Sequence, residues 1–238
     1  SRLTNNRVVM RCALAVVLIV VTIPTLVLVG CATSRSGDEP ELGTLLDRVI
    51  AAGAPGVFVV LREDGKVVRS GARGFADRSR SIPMRADERF RIGSITKTFV
   101  ATLVLLLVED GTLRLDDTVE HWLPGLAPAG RAITVRDLLS HTAGLFDYVE
   151  DERVLRAHER RWTPRELVAI AVAYPPERSP PGKSFAYSST NYIVLGLILE
   201  QLTGMSAPAA FQNRIFEPLG LNHTSLPALA ANQIPDPH

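Results

Sequence analysis

The sequence predicts a mixed α/β domain, and three segments support this prediction. Residues 42–50 carry leucine, valine and isoleucine at helical spacing, which predicts an amphipathic helix. Residues 56–69 are rich in β-branched side chains around a central Asp64-Gly65, a pattern typical of an antiparallel hairpin. Residues 98–108 are apolar on nearly every side, and a helix of that kind must be buried inside a domain.

Glycines mark the ends of these elements. Gly53 stops the first helix, and Gly65 completes the turn of the hairpin. Gly111 ends the buried helix, because glycine readily adopts the left-handed backbone that closes a helix. The order of helix, hairpin and buried helix therefore favours the mixed class.

The second half of the chain is predicted to be mostly helical. Thr163-Pro164-Arg165-Glu166 is a capping box with proline at the first helical position, and the helix over 167–173 halts at Pro175-Pro176. Segments 191–202 and 208–216 predict two further helices. No strand pattern of comparable quality follows the hairpin, and two strands alone are not a stable platform for a buried helix. We therefore expect that the sheet has C-terminal strands that this chain lacks.

Composition and charge narrow the class of protein. The chain has 238 residues, of which 46% are hydrophobic and 21% charged, as in globular proteins. Its net charge of +1 offers no electrostatic basis for binding nucleic acid. Both cysteines, Cys12 and Cys31, lie in the N-terminal region, so disulfides, thiol catalysis and cysteine metal sites are excluded from the globular part.

Residues 1–31 have the layout of a secretory signal, with arginines before an apolar stretch that runs to Val29. The tetrapeptide Leu28-Val29-Gly30-Cys31 resembles the lipobox of bacterial lipoproteins, which implies lipidation at Cys31 and attachment to the membrane. The alternative is an uncleaved membrane anchor, because about 18 apolar residues are just enough to span a bilayer. Either interpretation places the domain outside the cytoplasm, after a polar linker at 32–40.

Ser94 and Lys97 are the candidate catalytic pair. Residues three apart on a helix share a face, so the Lys97 amine can reach the Ser94 hydroxyl and activate it as a nucleophile. The alternative is that Ser94 only caps a helix while Lys97 extends to solvent. The apolar run that follows favours catalysis, because burial of Lys97 would favour its neutral, basic form.

Other polar and aromatic residues give weaker signals. Three of the five histidines, His121, His158 and His223, lack the spacing of zinc ligands. No metal site and no cofactor is therefore predicted. Asp116-Asp117 is more typical of a solvated turn than of an acid and base pair, and Trp122 and Trp162 are interpreted as packing residues.

Several motifs resemble one known family. The segments RFRIGSITKTF, LVEDGTLRLDDTVEHWLPG and ITVRDLLSHTAGLFDY are similar to the serine β-lactamase and penicillin-binding-protein superfamily. Within it, the chain most resembles the secreted serine-type D-alanyl-D-alanine carboxypeptidases of actinomycetes. The resemblance implies a β-lactamase/transpeptidase-like fold, an antiparallel sheet flanked by helices plus a mostly helical subdomain. Residues 41–238 would be the N-terminal part of that hydrolase domain.

The resemblance assigns roles to individual residues. It implies that Ser94 is the acylated nucleophile, that Lys97 is its partner base and that Tyr187 shuttles a proton to the leaving group. Ser189 stands where the family has an asparagine, so a substrate-binding amide is replaced by a shorter hydroxyl. Asn191 cannot take that place, because the family has a second asparagine at the later position.

The family's third motif, a K-T-G or H-T-G strand that supplies half of the oxyanion hole, does not occur before His238. The segment 141–144 reads H-T-A-G, but it has an extra alanine and corresponds to a family loop, so it is interpreted as structural. A chain without the third motif is expected to be a poor catalyst, because loss of one oxyanion donor costs about 10²- to 10³-fold in rate.

The resemblance implies a carboxypeptidase that cleaves the D-alanyl-D-alanine stem peptides of peptidoglycan through a serine acyl-enzyme. Because β-lactams imitate this dipeptide, they are expected to acylate Ser94. Two alternatives stay open. One is a class C β-lactamase or esterase of the same fold, and the other is a truncated, catalytically silent domain that binds peptide or a partner.

Overall fold

The computed structural model describes residues 39–157, 160–175 and 180–227. These residues divide into a helix-and-sheet unit that ends at Arg91 and a helical unit that begins at Ile92. The predicted signal and lipobox at 1–31 lie outside the described residues. The predicted linker at 32–40 overlaps the first helix by two residues, because that helix begins at Glu39.

The helix-and-sheet unit contains helix α1 and three antiparallel strands in the order β1-β2-β3. Their bounds are Glu39–Ala51 for α1, Gly56–Glu63 for β1, Lys66–Asp77 for β2 and Ile82–Pro83 for β3. The predicted helix and hairpin are thus confirmed. Strand β2 runs well past Arg69, and the two-residue strand β3 was not predicted.

Small residues let α1 approach strand β2 closely. Leu46 of α1 is only 3% exposed, and a Cβ atom placed on Gly71 would lie 2.9 Å from its methyl group. A side chain at position 71 would therefore require the Leu46 side chain to shift. The second part of β2 was not predicted, because its glycine and alanine residues interrupt the β-branched pattern that identifies strands.

The helical unit begins with a 3₁₀ turn that runs directly into a long helix. In chain order its elements are a 3₁₀ turn at Gly93–Ile95, α2 at Thr96–Glu109, α3 at Val119–Trp122, α4 at Val135–Leu139, a 3₁₀ turn at Tyr148–Glu150, α5 at Glu152–Arg156, α6 at Pro164–Val172, α7 at Ser189–Thr203, α8 at Ala207–Phe211 and a π-helical turn at Gln212–Phe216. The predicted helical character of this half is confirmed.

The core of the helical unit forms where α2 and α7 meet. The side chains at its centre are fully buried, and they are Leu103, Val104, Val194, Leu195, Ile198 and Leu199. Helix α2 is nevertheless buried on one side only, since Leu105 is 48% exposed. The prediction of burial on nearly every side is therefore wrong for the residues that the structure describes.

Two capping boxes fix the ends of short helices. The Thr163 hydroxyl accepts a bond from the Glu166 N–H, and Glu166 accepts one from the Thr163 N–H, as predicted for α6. Thr134 and Asp137 form a second box at α4, and Asp137 also accepts a 3.0 Å bond from the Thr142 hydroxyl. Asp137 thereby ties the loop after α4 to the helix itself.

Within the described part of the chain, no single helix has the length and hydropathy of a membrane span. The pair Ser189–Thr203 and Ala207–Phe216 meets those limits only when taken together, across a 78° bend.

Candidate active site

Ser94 and Lys97 lie at the junction of the first 3₁₀ turn and α2. Gly93 has a φ of 52°, so a left-handed residue begins the turn that carries Ser94. Lys97 follows in the first turn of α2, and its Nζ donates a 3.1 Å bond to Ser94 Oγ. The predicted pairing is therefore present, although Ser94 lies one turn before the α-helix and not within it.

Tyr187 completes this cluster from the segment just before α7. Its hydroxyl lies 2.8 Å from Ser94 Oγ, and Lys97 Nζ lies 4.9 Å from the centre of its ring. The tyrosine side chain is 47% exposed, so the cluster is open to solvent on one side. The prediction that Ser94, Lys97 and Tyr187 converge is confirmed as geometry, while their catalytic roles stay predictions.

Lys97 is partly buried among the described residues, so it is less buried than the apolar run predicted. The neighbouring Ile95 side chain is 59% exposed, which shows that this end of α2 faces outward. Lys97 is instead surrounded by groups that stabilise a cation, including the hydroxyl of Ser94 and the ring face of Tyr187.

Ser189 joins Lys97 to a buried carboxylate. Its Oγ accepts a 3.4 Å bond from Lys97 Nζ and donates a 3.4 Å bond to Asp147 Oδ2. Asp147 is only 5% exposed and was not predicted as a site residue. The single hydroxyl of Ser189 is thus engaged on both sides, and the side chain at this position has no amide to hold a substrate carbonyl.

His141 also lies in the site, although the sequence suggested only a structural loop. Its imidazole stacks on the Tyr187 ring, with centroids 4.5 Å apart and planes 27° apart. Segment 141–144 is a loop, as predicted, and does not form the strand of the third motif. The only sequence signal for His141 was its place in the family's loop motif.

Asn191 occupies a position deeper than Ser189. It is fully buried, and its Nδ2 lies 3.5 Å from Nδ1 of His141. Lys97 is bonded to Ser189 and Ser94 instead. This placement agrees with the prediction that Asn191 does not take over the role of the missing asparagine.

Tyr187 differs from the other tyrosines in its acidity. Hydrogen bonds from Lys97 and then from Ser94 lower the pKa of Tyr187. Burial raises the pKa of Tyr148 and of Tyr192, and a hydrogen bond to Asp151 raises that of Tyr174. Since these are the four tyrosines of the chain, we expect Tyr187 to deprotonate first as pH rises.

The remaining candidate residues are placed away from this cluster. Trp122 donates a 3.2 Å bond to Asp117, and Trp162 stacks beneath Arg160 at 3.8 Å. His158 lies outside the described residues. Within the described ranges, no group of three or more histidine, cysteine or acidic side chains is arranged to hold a metal ion.

A serine hydroxyl between an amine and an acidic phenol is the arrangement of an acyl-transferring serine nucleophile. The sequence matches the beta-lactamase family over residues 43–238, and the chain belongs to that family of serine hydrolases. The β-lactamase-like fold, with helices and a small antiparallel sheet, agrees with this membership.

The chain is similar to proteins whose names indicate different activities. The chain is 36% identical over 175 residues to penicillin-binding protein 4 of Amycolatopsis lactamdurans, covering 71% of this chain and 44% of that protein. It is 32% identical over 212 residues to esterase EstB of Burkholderia gladioli, covering 79% of this chain and 53% of EstB. A D-stereospecific amidohydrolase from Streptomyces sp. superposes with a TM-score of 0.68 at 38% identity, covering 77% of this chain and 55% of that structure. The chain thus spans about half the length of these proteins.

Proposed function

We propose that this chain is the acylating part of a serine-type D-alanyl-D-alanine carboxypeptidase that acts on peptidoglycan stem peptides. The observation that carries the proposal is Ser94 Oγ, which lies 3.1 Å from Lys97 Nζ and 2.8 Å from the Tyr187 hydroxyl. A nucleophile beside one group that can accept and return its proton, and beside an amine that can stabilise the charge on that group, suits transfer of an acyl group. The similarity to a penicillin-binding protein and to a D-stereospecific amidohydrolase supports a D-configured substrate.

The geometry supports the following sequence of steps. Ser94 Oγ attacks the carbonyl carbon of the penultimate D-alanine while its proton passes to the Tyr187 phenolate, which the lowered pKa of Tyr187 favours. Lys97, bonded to Ser94, stabilises the negative charge on the phenolate. Tyr187 then protonates the leaving nitrogen, the C–N bond breaks and terminal D-alanine departs. Water hydrolyses the resulting Ser94 ester and returns the proton to Ser94.

An esterase is the second candidate, and Ser189 favours it. The Ser189 hydroxyl is shared between Lys97 and Asp147. As a serine, this residue has no amide that would hold a peptide carbonyl. An ester makes fewer hydrogen bonds than a peptide and has a leaving group that needs less protonation. The similarity to esterase EstB supports this candidate. A Ser189→Asn variant is expected to lower KM for a D-alanyl-D-alanine peptide more than for an ester if peptides are the natural substrates.

Covalent labelling tests the shared mechanism. The wild type and Ser94→Ala are incubated with a fluorescent penicillin, and hydrolysis of a D-alanyl-D-alanine peptide, its L-configured counterpart and a nitrophenyl ester is followed in parallel. Label is expected on Ser94 of the wild type alone, with cleavage of the D-peptide and not of the L-peptide. Equal labelling of both proteins, or cleavage of neither peptide nor ester, would contradict the proposal.

We further propose that the domain acts outside the cytoplasm, tethered by a lipid on Cys31. The basis is the tetrapeptide Leu28-Val29-Gly30-Cys31, which follows an apolar stretch and precedes a polar segment. In a bacterial host, Cys31→Ala should release the protein from the membrane fraction. If wild type and variant are equally membrane-bound, residues 12–29 anchor the protein as an uncleaved span.

A further inference from the structure

His141 contacts the tyrosine of the site through its ring face. The imidazole and the Tyr187 ring are stacked, with centroids 4.5 Å apart. Tyr192 lies 5.2 Å from the same imidazole, and Phe185 approaches it edge-on at 5.9 Å. The imidazole is therefore confined by aromatic rings on several sides, and its orientation is fixed with respect to Tyr187.

His141 also binds the backbone on both sides of Tyr187. Its carbonyl oxygen accepts a 2.8 Å bond from the Ala186 N–H, and its Nδ1 accepts a 3.2 Å bond from the Ser188 N–H. Because a backbone N–H only donates, Nδ1 carries no proton, and the neutral ring holds its proton on Nε2. His141 thus contacts three consecutive residues: it stacks on Tyr187 and accepts hydrogen bonds from the residues before and after it.

The backbone of His141 is held in a rarely used conformation. Its φ is 58°, in the left-handed region that few residues other than glycine occupy. The next residue, Thr142, is fixed by a 2.9 Å bond from its N–H to the Asp137 carbonyl and by its hydroxyl bond to the Asp137 carboxylate. Such a conformation persists only where the surrounding structure enforces it, and it is often found at functional sites.

Resting on the proposed function, we propose that His141 is a positioning residue that aims the Tyr187 phenol at Ser94 while its own imidazole stays neutral. His141 acts through the tyrosine, whose hydroxyl is the group in contact with Ser94. Neither the loop interpretation of 141–144 nor the family's catalytic motifs assign this role.

The charges around His141 favour its neutral form. Burial and then the positive charge of Lys97 on α2 lower the pKa of His141, while Asp147 in its own loop acts in the opposite sense. Tyr187 and Tyr192 are the other titratable groups against the ring. In acid, Nδ1 would carry a proton and would no longer accept the bond from the Ser188 N–H, because both groups would be donors. The hydrogen bond that positions the residue after Tyr187 would then be lost.

The test compares variants that keep or remove individual contacts. His141→Gly accepts the left-handed backbone but removes the ring, whereas His141→Asn also accepts that backbone and offers an amide oxygen in place of Nδ1. His121→Asn is the matched control, because His121 contacts Trp122 on α3 and not the site. Each protein is examined for penicillin acylation rate against pH, for tyrosinate absorbance against pH, and for thermal unfolding.

We expect His141→Gly to slow acylation about 10- to 100-fold, since a misplaced proton-transfer group costs rates of this order. Its first tyrosinate step should move to higher pH, because Tyr187 loses alignment with Lys97 and Ser94. His141→Asn should recover part of both effects, and His121→Asn should show neither. The wild type should lose acylation in acid below the ordinary pKa of histidine, and this step should be absent in His141→Gly.

An unchanged tyrosinate step in folded His141→Gly, or identical behaviour of the glycine and asparagine variants, would contradict the positioning role. The tyrosinate measurement needs no catalysis. If the wild type is not acylated at all, the proposed function fails, while the titration still decides whether His141 positions Tyr187.

Discussion

The nucleophile and the tyrosine of the site are held in different ways. Ser94 lies on a 3₁₀ turn without a buried residue or a side-chain cap, and the chain continues from it directly into α2. Tyr187 lies on an irregular segment, but the next residue, Ser188, is 1% exposed and bonds both His141 and the Phe146 carbonyl. One group is fixed through a helix and the other through long-range hydrogen bonds.

Because of this difference, substitutions near Ser94 and near Tyr187 should affect stability and activity in different proportions. The position of Ser94 depends on the buried face of α2, so damage to that face should affect folding and the nucleophile together. The position of Tyr187 depends on a few polar and aromatic contacts, whose loss can displace the phenol without unfolding the core. Substitutions on the two sides should therefore give distinct combinations of activity and stability.

The largest effect should come from Ser94→Ala. Without the hydroxyl no acyl-enzyme can form, so penicillin labelling and hydrolysis should fall to background, a loss of about 10³-fold or more. Mass spectrometry of the intact protein measures the adduct. The matched control is Ser70→Ala, which alters an exposed serine on β2 and should leave labelling unchanged. An adduct retained on the Ser94 variant would show that another residue is the nucleophile.

Tyr187→Phe should cost about 10²- to 10⁴-fold in acylation rate while the ring stays stacked on His141. Because the pKa of Tyr187 is lowered and those of the other tyrosines are raised, the variant should lose the first tyrosinate step in a pH titration. Tyr192→Phe is the control for that measurement and should remove a late step. If both variants lose a late step, Tyr187 is not the acidic tyrosine.

Two leucines on α2 test how strongly its buried face supports the fold. Leu103 is fully buried and Leu105 is 48% exposed, on the same helix and with the same side chain. Leu103→Ala should lower the free energy of unfolding by about 2–5 kcal/mol, because it leaves a cavity. Leu105→Ala should change it by about 0.5 kcal/mol or less. Urea unfolding measures both, and equal losses would mean that the exposed face of α2 is covered in solution.

A smaller effect is expected at the start of α6, far along the chain from the Tyr187 segment. Thr163→Ala removes the capping hydroxyl and should cost about 1 kcal/mol of stability. Bonds from Thr163 hold the pKa of Glu166 below its ordinary 4.5. The stabilisation that the Glu166 carboxylate gives the folded protein is therefore present above pH 4.5, and it is lost as the pH falls through the lowered pKa. Ser206→Ala is the control, because Ser206 makes no side-chain cap bond to α8. Equal losses at both positions would show that the box does not stabilise α6.

Local signals predicted most of the elements. The capping box at Thr163, the turn at Gly65 and the apolar run of α2 each depend on neighbouring residues, so the sequence alone indicates them. The extension of β2 was missed because its glycines serve close packing against α1, a contact between elements. Burial of α2 was overestimated, since composition does not tell which face meets a partner.

The site was predicted where residues are close in the chain or belong to a motif. Ser94 and Lys97 are three apart, and Tyr187 followed from the family's pattern. Asp147 and His141 were missed as members of the site, because their roles arise from contacts with Ser189 and Tyr187 that form only on folding. Lys97 is less buried than expected for the same reason, because exposure is a property of the assembled unit.

Three backbone amides of the segment at 182–188 donate hydrogen bonds to the loop at 141–142. The N–H groups of Gly182, Ala186 and Ser188 donate at 2.9, 2.8 and 3.2 Å to Thr142 O, His141 O and His141 Nδ1, respectively. None of these donors can exchange its hydrogen with solvent unless the two segments separate. The three amides should therefore share one protection factor against deuterium uptake, and that factor reports how often the tyrosine leaves its nucleophile.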